Sequence, residues 1–556
     1  MKSQFLQKSL ILFTLLSVTS LCAQKNIPEE VKACLEKASG DAMKAHIAYL
    51  ADDALLGRLP GTPGFETAVQ YVESQYKKLG LTPAGEQGTY RQKVMIRSAK
   101  PDAAASSLVL KTKNGEQTLE PGKDYVFRGD FNQKENSAEA PVVFAGFGID
   151  ADKIGHNDYK NLDVKGKIVI LLDRVPEDKF GSTETAHLGR QNTKLDMAYK
   201  HGAVGVLLLP SINVGNNNFS RSAEQAARGA RGVVLPNVKS NKNYYNPYPA
   251  LKFVASLSWE GLGKLMGQPD KSAKELAAIL YNSNNNVTIP GTLKAHTVTS
   301  YEEIESYNVI GKIPGVDSKL KNEYVVHTAH LDHVGVGRPI EGDSIYNGAH
   351  DNASGVASLL EIAKLYTQLK NNKPKRSILF VMVTAEEMGL LGSLYFSNNP
   401  TVPKDKIVAD VNTDMPTLIA PLLGVVPLGA EHSSLMDNVK SAANQLGLEV
   451  MQDHMPQEVR FVRSDQYNFV LQGIPALHIK YGLKAQGSSE ELDAKIKDFT
   501  QNHYHKPSDE LNDSFNFEGG QTYVKLNFLI SYLTATDPAR PTWNKDSIFA
   551  QGKWVK

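Results

Sequence analysis

Ser377-Ile-Leu-Phe-Val-Met-Val-Thr384 is a continuous apolar run, and it leads directly into Ala385-Glu386-Glu387. A short run of this kind, bounded by polar residues, is typical of a strand that is buried on both faces of a parallel sheet. The two acidic residues therefore lie where such a strand ends. This stretch predicts an α/β fold in which polar chemistry follows a buried strand.

Two neighbouring segments repeat this arrangement. The apolar run at 323–329 leads into His330-Leu331-Asp332, and the run at 407–412 leads into Thr413-Asp414. An amphipathic segment at 356–369 predicts a helix between them, and such alternation is typical of a largely parallel sheet flanked by helices. Ligands collect at the carboxyl ends of the strands in open α/β sheets. An imidazole and several carboxylates should therefore meet at one edge.

Two polar loops supply further candidates for the same edge. Asn347-Gly-Ala-His-Asp351-Asn352 precedes the predicted helix, and Asn502-His-Tyr-His505-Lys-Pro lies near the end of the chain. Taken singly, each motif has an ordinary explanation as a helix cap, a dipole partner or a surface pair. Taken together and in this order, they favour a site for borderline divalent metals with nitrogen and oxygen ligands.

Composition excludes several classes of protein. The 556 residues include 61 Lys and Arg and 60 Asp and Glu, so the formal charge of +1 gives no electrostatic reason to expect nucleic acid as a partner. Cys22 and Cys34 are the two cysteines of the sequence, which excludes a disulfide scaffold and a cysteine-based zinc site. No oligomeric state is indicated.

The first residues predict an export signal. Residues 1–23 combine early positive charges, an apolar run and a small-residue cleavage site at Leu21-Cys22-Ala23. The apolar run is short of the ~20 residues that a membrane span requires, so no stable membrane insertion is expected. An uncleaved anchor and a lipid anchor on Cys22 are the alternatives. We expect a periplasmic or extracellular protein.

The length of the chain and the change in its sequence pattern along the chain predict several domains. Helices are expected at 41–50, with Asp41 as N-cap, and at 66–78, ending at Gly80. Short apolar strands then alternate with turn signals from 108 to 280, before the polar run 282–286, which reads as a linker. The predicted boundaries are 24–131 for a first segment, 132–290 for a β-rich insert, 291–540 for the main segment, which carries the candidate site, and 541–556 for a tail.

With these residues identified, the sequence resembles the M28 family of zinc aminopeptidases. The motifs that support the resemblance are 329–335, 348–355, 384–389, 412–415 and 504–509, and the lead-in 49–61 matches as well. Residues 158–169 and 202–206 resemble a protease-associated (PA) domain, which many members carry as an insert. One departure is His350, where many members have Asp at a position that is not a ligand.

The resemblance implies two zinc ions and a role for each motif. His330 and Asp414 would hold one ion, Glu387 and His505 the other, and Asp351 would bridge both. Glu386 would be the general base that activates water, and Asp332 would steady the ring of His330, as metal-bound histidines require. His503 is the rival to His505, whereas His327, His333 and His350 are expected to be packing or rim residues.

The implied activity is release of N-terminal residues from peptides that have a free N-terminus. A carboxypeptidase or dipeptidase of the M20 type is one alternative, although it would normally place a dimerisation domain between its last two ligands. A glutaminyl cyclase is another, and it would use one zinc ion without a PA insert. A non-enzymatic relative would have lost ligands that this sequence retains.

Overall fold

The computed structural model describes residues 26–176, 179–212, 217–235, 251–283, 287, 289–416 and 418–550. The expected signal segment, most of the expected linker at 282–286 and the end of the tail lie outside these residues. Within the described ranges, no helix is long and apolar enough to cross a membrane. Most of residues 132–290 and nearly all of 291–540 can therefore be compared directly with the sequence-based expectations.

The described part of the chain contains these helices: α1 Glu29–Leu35, α2 Gly40–Leu50, α3 Pro63–Leu79, α4 Ser182–Gly189, α5 Gln191–Lys200, α6 Asn217–Arg228, α7 Trp259–Leu265, α8 Ala273–Asn282, α9 Ser354–Thr367, α10 Leu391–Asn398, α11 Leu435–Gln445, α12 Gln466–Leu471, α13 Ser489–Asn502 and α14 Phe517–Thr536. The expected helices are present, with one correction. Ser39, not Asp41, caps α2, because its side chain accepts a hydrogen bond from the backbone of Ala42 at 3.2 Å.

The strands are β1 Thr82–Pro83, β2 Arg91–Pro101, β3 Ser107–Thr112, β4 Gly115–Thr118, β5 Tyr125–Phe127, β6 Glu135–Ala140, β7 Val142–Phe144, β8 Asp150–Ala151, β9 His156–Asn157, β10 Ile168–Leu172, β11 Gly205–Leu209, β12 Ala230–Val233, β13 Phe253–Leu257, β14 Thr292–Ile313, β15 Tyr324–His330, β16 Gly335–Ile340, β17 Asp343–Tyr346, β18 Ser377–Val383, β19 Ile407–Asn412, β20 Gly424–Leu428, β21 Glu449–Val450 and β22 Ala476–Tyr481.

A mixed sheet of thirteen strands forms the centre of the molecule. Its middle strands β18, β15, β19 and β22 are parallel, and every residue of β18 and β19 is buried. The register places His330 opposite Val383 and Thr328 opposite Asn412, so these three strands end at one level. Helices α2, α3, α9 and α14 cover one face and α10 and α12 the other. The expected α/β class is confirmed, but the sheet is mixed, because β2 and β14 pair antiparallel with their neighbours and β20 pairs antiparallel with β22, so the expected parallel pairing is concentrated in the middle.

The inserted region has its own sheet of five strands, with β7, β10, β11 and β13 parallel and β5 antiparallel at the edge. Its core also contains Leu108, Leu110 and Phe127, which precede the predicted boundary at 132. Strand β14 is 22 residues long and pairs with β3 and β6 at one end and with β18 at the other. One continuous strand therefore connects the insert to the central sheet.

Candidate metal centre

Five segments meet at the carboxyl edge of the central sheet. His330 ends β15, Glu386 and Glu387 follow β18, and Asp414 follows β19, as the strand pattern predicts. Asp351 lies in the turn before α9, and His505 lies in the loop after α13. Left-handed backbone occurs at Ala385 (φ 54°), Met415 (φ 42°) and His505 itself (φ 54°). Such backbone is costly for residues other than glycine and clusters at functional sites.

One group of donors is almost completely buried. The Nε2 atom of His330 lies 3.1 Å from Oδ1 of Asp351 and 3.7 Å from Oδ1 of Asp414. The side chain of His330 is 1% exposed. Ligand atoms of these three residues all lie within 4.8 Å of one another, as a metal ion requires. We call His330 and Asp414 the inner pair.

A second group lies on the other side of Asp351. The Nε2 atom of His505 lies 3.1 Å from Oδ2 of Asp351 and 3.0 Å from Oε2 of Glu387. The side chain of His505 is 36% exposed. We call Glu387 and His505 the outer pair. The two carboxylate oxygens of Asp351 therefore face different pairs.

His333 also lies at the outer pair, which the sequence did not predict. Its Nδ1 atom lies 2.8 Å from Oε1 of Glu387, and ligand atoms of His333, Asp351 and Glu387 form a second group within 4.8 Å. The side chain of His333 is fully buried. His333 therefore contacts a candidate ligand and can orient Glu387 or replace His505 as a ligand. The sequence analysis expected only a packing or rim position for it.

The electrostatics of the side chains alone pair carboxylates with imidazoles. Burial opposes ionisation of Asp351, but contacts with His330 and His505 hold its pKa well below its usual range. The pKa of His330 is raised well above its usual range, because Asp351 and Asp414 outweigh the effect of burial. The opposite charges of the carboxylates and the imidazoles stabilise each other in this buried cluster.

The backbone around the inner pair is fixed by buried side chains. The carbonyl oxygen of Asp414 accepts hydrogen bonds from Nζ of Lys480 at 2.7 Å and lies 2.8 Å from Nε2 of His478, both on β22. Asn352 accepts hydrogen bonds from the backbone of Met415 at 3.1 Å and of Gly355 at 3.0 Å. The turn that holds Asp351 is thus tied to the loop that holds Asp414.

Asp332 lies where the sequence predicts, but its carboxylate contacts a different partner. Its Oδ1 is 3.9 Å from Nδ1 of His330, whose closest contact is the carbonyl oxygen of Asp332 at 3.1 Å. The carboxylate accepts hydrogen bonds from the backbone N–H groups of Glu386 at 3.1 Å and Glu387 at 3.3 Å. Asp332 therefore contacts the His330 ring through its backbone and fixes the two glutamates through its side chain.

Two further buried residues position the turn around Asp351. Arg58 donates hydrogen bonds to the carbonyl oxygens of Leu331 at 2.9 Å, Asn347 at 2.6 Å and Gly348 at 3.1 Å. Asp509 accepts hydrogen bonds from the backbone of Asp351 at 3.0 Å and of its predecessor at 2.9 Å. Both lie within sequence motifs that resemble the family, but nothing in the sequence alone indicates their partners.

Glu386 differs from its neighbour Glu387. Among the described residues, its carboxylate forms no hydrogen bond and no ion pair, and it lines a pocket of about 130 Å³ together with His330, Asp414 and Tyr504. Burial, together with the charges of nearby carboxylates, raises the pKa of Glu386 well above its usual range. A carboxylate that is close to a pocket and not engaged elsewhere is suited to proton transfer.

The other histidines pack as expected. His350 stacks on Phe515 with ring centroids 3.9 Å apart, and His327 stacks on Phe380 at 5.4 Å. Burial lowers the pKa of both to about 3. His503, the rival of His505, lies 3.0 Å from the hydroxyl of Ser508. None of the three belongs to either group of candidate ligands.

The donor set fits borderline divalent ions. All donors are imidazole nitrogens and carboxylate oxygens, which are the ligands that zinc takes in catalytic sites. Oδ1 of Asp414 and Nε2 of His505 are buried atoms that have no partner with hydrogen-bond geometry among the described residues. The arrangement is a candidate site for divalent metal ions at the edge of an α/β sheet.

Comparison with known proteins agrees with this class. Residues 308–520 match the model of peptidase family M28. The chain is 25% identical over 499 residues to a Mycobacterium tuberculosis protein named Probable lipoprotein aminopeptidase LpqL, which covers 86% of this chain and 82% of that protein. Probable leucine aminopeptidase 2 of Aspergillus fumigatus is 30% identical, over 36% of this chain and 39% of its own length.

Solved structures are also similar. An aminopeptidase from Aneurinibacillus sp. strain AM-1 aligns over 92% of this chain and 97% of its own, with a TM-score of 0.47 and 18% identity. A zinc aminopeptidase from Bacillus subtilis aligns over 90% and 97%, with a TM-score of 0.40 and 19% identity. Residues 308–520 are thus similar to peptidase family M28, and the expected class of enzyme, a peptidase, is confirmed.

Proposed function

We propose that this protein is an exported aminopeptidase that releases N-terminal residues from peptides and uses two zinc ions. His330 and Asp414 would hold one ion, Glu387 and His505 the other, and Asp351 would bridge them. The observation that carries the proposal is the position of Asp351, whose Oδ1 and Oδ2 each lie 3.1 Å from an imidazole of a different pair. A carboxylate with its oxygens divided in this way suits two neighbouring cations.

Zinc bound at such a site lowers the pKa of water and polarises the carbonyl group of a substrate. The residues of the chain do the remaining work. Glu386 would accept a proton from the attacking water and return it to the leaving amine as the C–N bond breaks. The hydrogen bonds from the Glu386 and Glu387 backbone to Asp332 hold the free carboxylate beside the coordinating one.

The same carboxylates support recognition of the amino end. Glu386, Asp351 and Asp414 line part of the small pocket, where their carboxylates suit the cationic ammonium group of a peptide. Arg460 and Arg463 line the pocket as well. The pocket volume of about 130 Å³ is small, which favours the end of a peptide chain over its middle. Relatives that are named aminopeptidases add independent support.

The decisive experiment compares two tetrapeptides. We expect Leu-Ala-Ala-Ala to lose leucine first. N-acetyl-Leu-Ala-Ala-Ala should be cleaved at least a hundredfold more slowly, because acetylation removes the positive charge of the N-terminus that the pocket binds. Dialysis against a chelator should abolish the activity, and zinc should restore it. Equal cleavage of both peptides, or release from the carboxyl end, would overturn the proposal. Conversion of an N-terminal Gln peptide to pyroglutamate without cleavage would indicate a cyclase instead.

Export is tested separately. If the first 23 residues are removed during secretion, N-terminal sequencing of the protein from the periplasm or medium should begin near Gln24. A lipid-modified Cys22 would give a blocked N-terminus and a membrane-bound protein that Cys22→Ser releases. A chain that retains its first residues would contradict cleavage.

A further inference from the structure

A large cleft lies between the insert and the catalytic segment. Its volume is about 730 Å³, within the range of pockets that hold ligands of several residues. Most of its walls come from β5, β12, β13 and the ends of α5 and α6. The catalytic wall consists of Glu387, Met388 and residues of α10. The cleft therefore reaches a residue of the outer pair.

The lining of this cleft is strongly basic. It includes five cationic side chains, namely Arg128, Arg190, Arg228, Arg231 and Lys252, and two carboxylates. Both carboxylates are already engaged. Asp130 accepts hydrogen bonds from the backbone of Asn132 at 2.7 Å and Gln133 at 2.8 Å, and Glu387 faces His333 and His505. The side chains that line the cleft therefore carry a net positive charge.

Two of the arginines face solvent at the end of α6 and on β12. Arg228 and Arg231 are exposed, and neither forms an ion pair with a described carboxylate. Partial burial and the neighbouring charge of Arg228 lower the pKa of Arg231, against the opposite effect of Glu302, so the two guanidinium groups repel each other. An anion bound between them would relieve that repulsion.

The arginine-bearing strand is attached rigidly beside the catalytic base. Strand β12 pairs with β2 at the edge of the central sheet, with Arg231 opposite Ser98. Val233 of the same strand packs in one cluster with Ala385 and Leu391. Since Ala385 directly precedes Glu386, the position of Arg231 is fixed relative to the site.

The basic surface continues toward the small pocket. Arg190 lies over the ring of Tyr467, with its guanidinium carbon 4.7 Å from the centroid, and donates a hydrogen bond to the carbonyl oxygen of Val462. Val462 lies between Arg460 and Arg463, and both of these arginines line the small pocket. A peptide with its amino end at the candidate metal site would thus extend along cationic side chains.

We propose that this cleft binds carboxylate groups of the peptide beyond the bond that is cleaved, and that this is the task of the insert. The inference rests on the proposed aminopeptidase function. Guanidinium groups bind carboxylates through paired, charge-assisted hydrogen bonds, and this geometry suits arginine better than lysine. The carboxylate comes either from the C-terminus of a short peptide or from Asp and Glu side chains of a longer one.

The test uses four substrates and two variants. The substrates are Leu-p-nitroanilide, Leu-Ala-Ala-Ala, its C-terminal amide and Leu-Ala-Glu-Ala-amide. The variants are the double variant Arg228→Gln/Arg231→Gln and the control Arg221→Gln, which changes an exposed arginine of α6 outside the cleft. Circular dichroism verifies that each variant is folded.

The expected results separate the inference from the proposed function. The wild-type chain should prefer one or both carboxylate-bearing peptides over the neutral amide by about tenfold, chiefly through KM, and 1 M salt should reduce the preference. The double variant should lower the preference to within about twofold and leave Leu-p-nitroanilide turnover unchanged, whereas Arg221→Gln should change neither. A preference for Leu-Ala-Ala-Ala alone would assign the C-terminal carboxylate, and a preference for the Glu peptide alone would assign the side chain.

Three results would overturn the inference. They are a wild-type chain without the preference, a double variant that retains it, and an equal loss in Arg221→Gln. In each of these cases, continued hydrolysis of Leu-p-nitroanilide leaves the proposed function intact. Failure to hydrolyse any of the four substrates with zinc present would overturn both.

Discussion

The inner and outer pairs of the candidate metal centre are built differently. His330 and Asp414 follow two adjacent parallel strands, and their side chains are 1% and 10% exposed. The outer pair combines Glu387, from a strand end, with His505, which lies in a loop and is 36% exposed. The inner pair is therefore part of the core of the sheet, whereas the outer pair depends on a loop that folds over its edge.

The supporting contacts follow the same division. Lys480 and His478 hold the backbone of Asp414 from the next strand of the sheet. The comparable contacts on the outer side are the ring of Tyr504, stacked on His505 at 3.9 Å, and the side chain of His333 at Glu387. We infer that the inner pair binds its ion more tightly and that the outer ion exchanges more easily.

Removing the residue shared by both pairs should have the largest effect. We expect Asp351→Ala to leave less than one zinc ion per chain and no measurable turnover, because both sites lose a ligand and two cations would lie together without the charge between them. Zinc analysis by mass spectrometry after gel filtration measures this, with Asp343→Ala, a change on the half-buried strand β17, as the control. Two zinc ions in the Asp351 variant would refute the shared role.

Removing the base should spare both pairs. Glu386→Gln preserves size and should keep both zinc ions, but kcat should fall by roughly 10²–10⁴ because a general base typically contributes that factor. Glu458→Gln, in the wall of the same small pocket, is the control and should change kcat by less than about threefold. If Glu386→Gln retained activity within a few-fold of wild type, another group would be the base.

Single histidine variants distinguish the two pairs. His330→Ala removes the buried imidazole that faces Asp351 and Asp414, so the free energy of unfolding in chelator should fall by about 3–5 kcal/mol. His505→Ala should cost less, about 1 kcal/mol, because the His505 side chain is 36% exposed and solvent screens its contacts with Asp351 and Glu387. Urea unfolding of both variants, together with their zinc content, gives the comparison. Equal destabilisation would show that the outer pair is as rigid as the inner one.

Arg58 tests the support that both pairs share. Arg58→Lys loses charge-assisted hydrogen bonds to buried carbonyl groups on either side of the centre, so we expect the free energy of unfolding to fall by about 2–3 kcal/mol. The exposed Arg338→Lys serves as the control and should lie within about 0.5 kcal/mol of wild type. A neutral effect at Arg58 would show that the turn holding Asp351 does not need it.

A loss of stability at acid pH could come from release of the outer ion or from protonation of a buried histidine. A variant of His187 distinguishes these two causes. It lies in α4 of the insert, and its Nδ1 contacts the hydroxyl of Tyr467 in the catalytic segment. Burial, assisted by the charge of Arg190, lowers its pKa to about 3. Because the unfolded chain binds the proton first, stability is full above pH 6.5 and falls as the pH drops below that value.

Between pH 7 and pH 5, this linkage should cost about 2 kcal/mol. Over the same pH range, the free energy of unfolding of His187→Phe should fall by about 2 kcal/mol less than that of the wild type. The zinc content of the variant should fall with pH as in the wild type. Urea unfolding and zinc analysis at both values provide the measurement. Identical pH dependence of stability in variant and wild type would exclude His187 as the acid-sensitive contact.

The sequence predicted the strand ends because they follow from local patterns. A buried apolar run that stops at His330, Glu386 or Asp414 needs no knowledge of distant residues, and parallel pairing then brings the ends together. The predicted N-cap of α2 was wrong because the sequence offers more than one candidate for it. Ser39 and Asp41 both precede an amphipathic run, and only the backbone path selects between them.

Contacts between distant parts of the chain could not be predicted in this way. Arg58 bonds to residues 273 and 289 positions away, and Asp509 to residues 158 and 159 positions away. The partners of Arg58 and Asp509 are backbone groups, which every residue type has, so the sequence does not indicate them. His333 had a signal, since it directly follows Asp332, but its proximity to Glu387 depends on how the next strand ends.

A zinc titration of the chelator-treated protein tests the central claim most directly. Calorimetry should give two ions per chain with clearly separated affinities, and in His505→Ala only the tighter one should remain. Leu-p-nitroanilide hydrolysis followed along the same titration should reach its maximum as the second ion binds. A single ion per chain, or two ions of equal affinity that both survive in His505→Ala, would contradict a bridged centre with one buried and one exposed half.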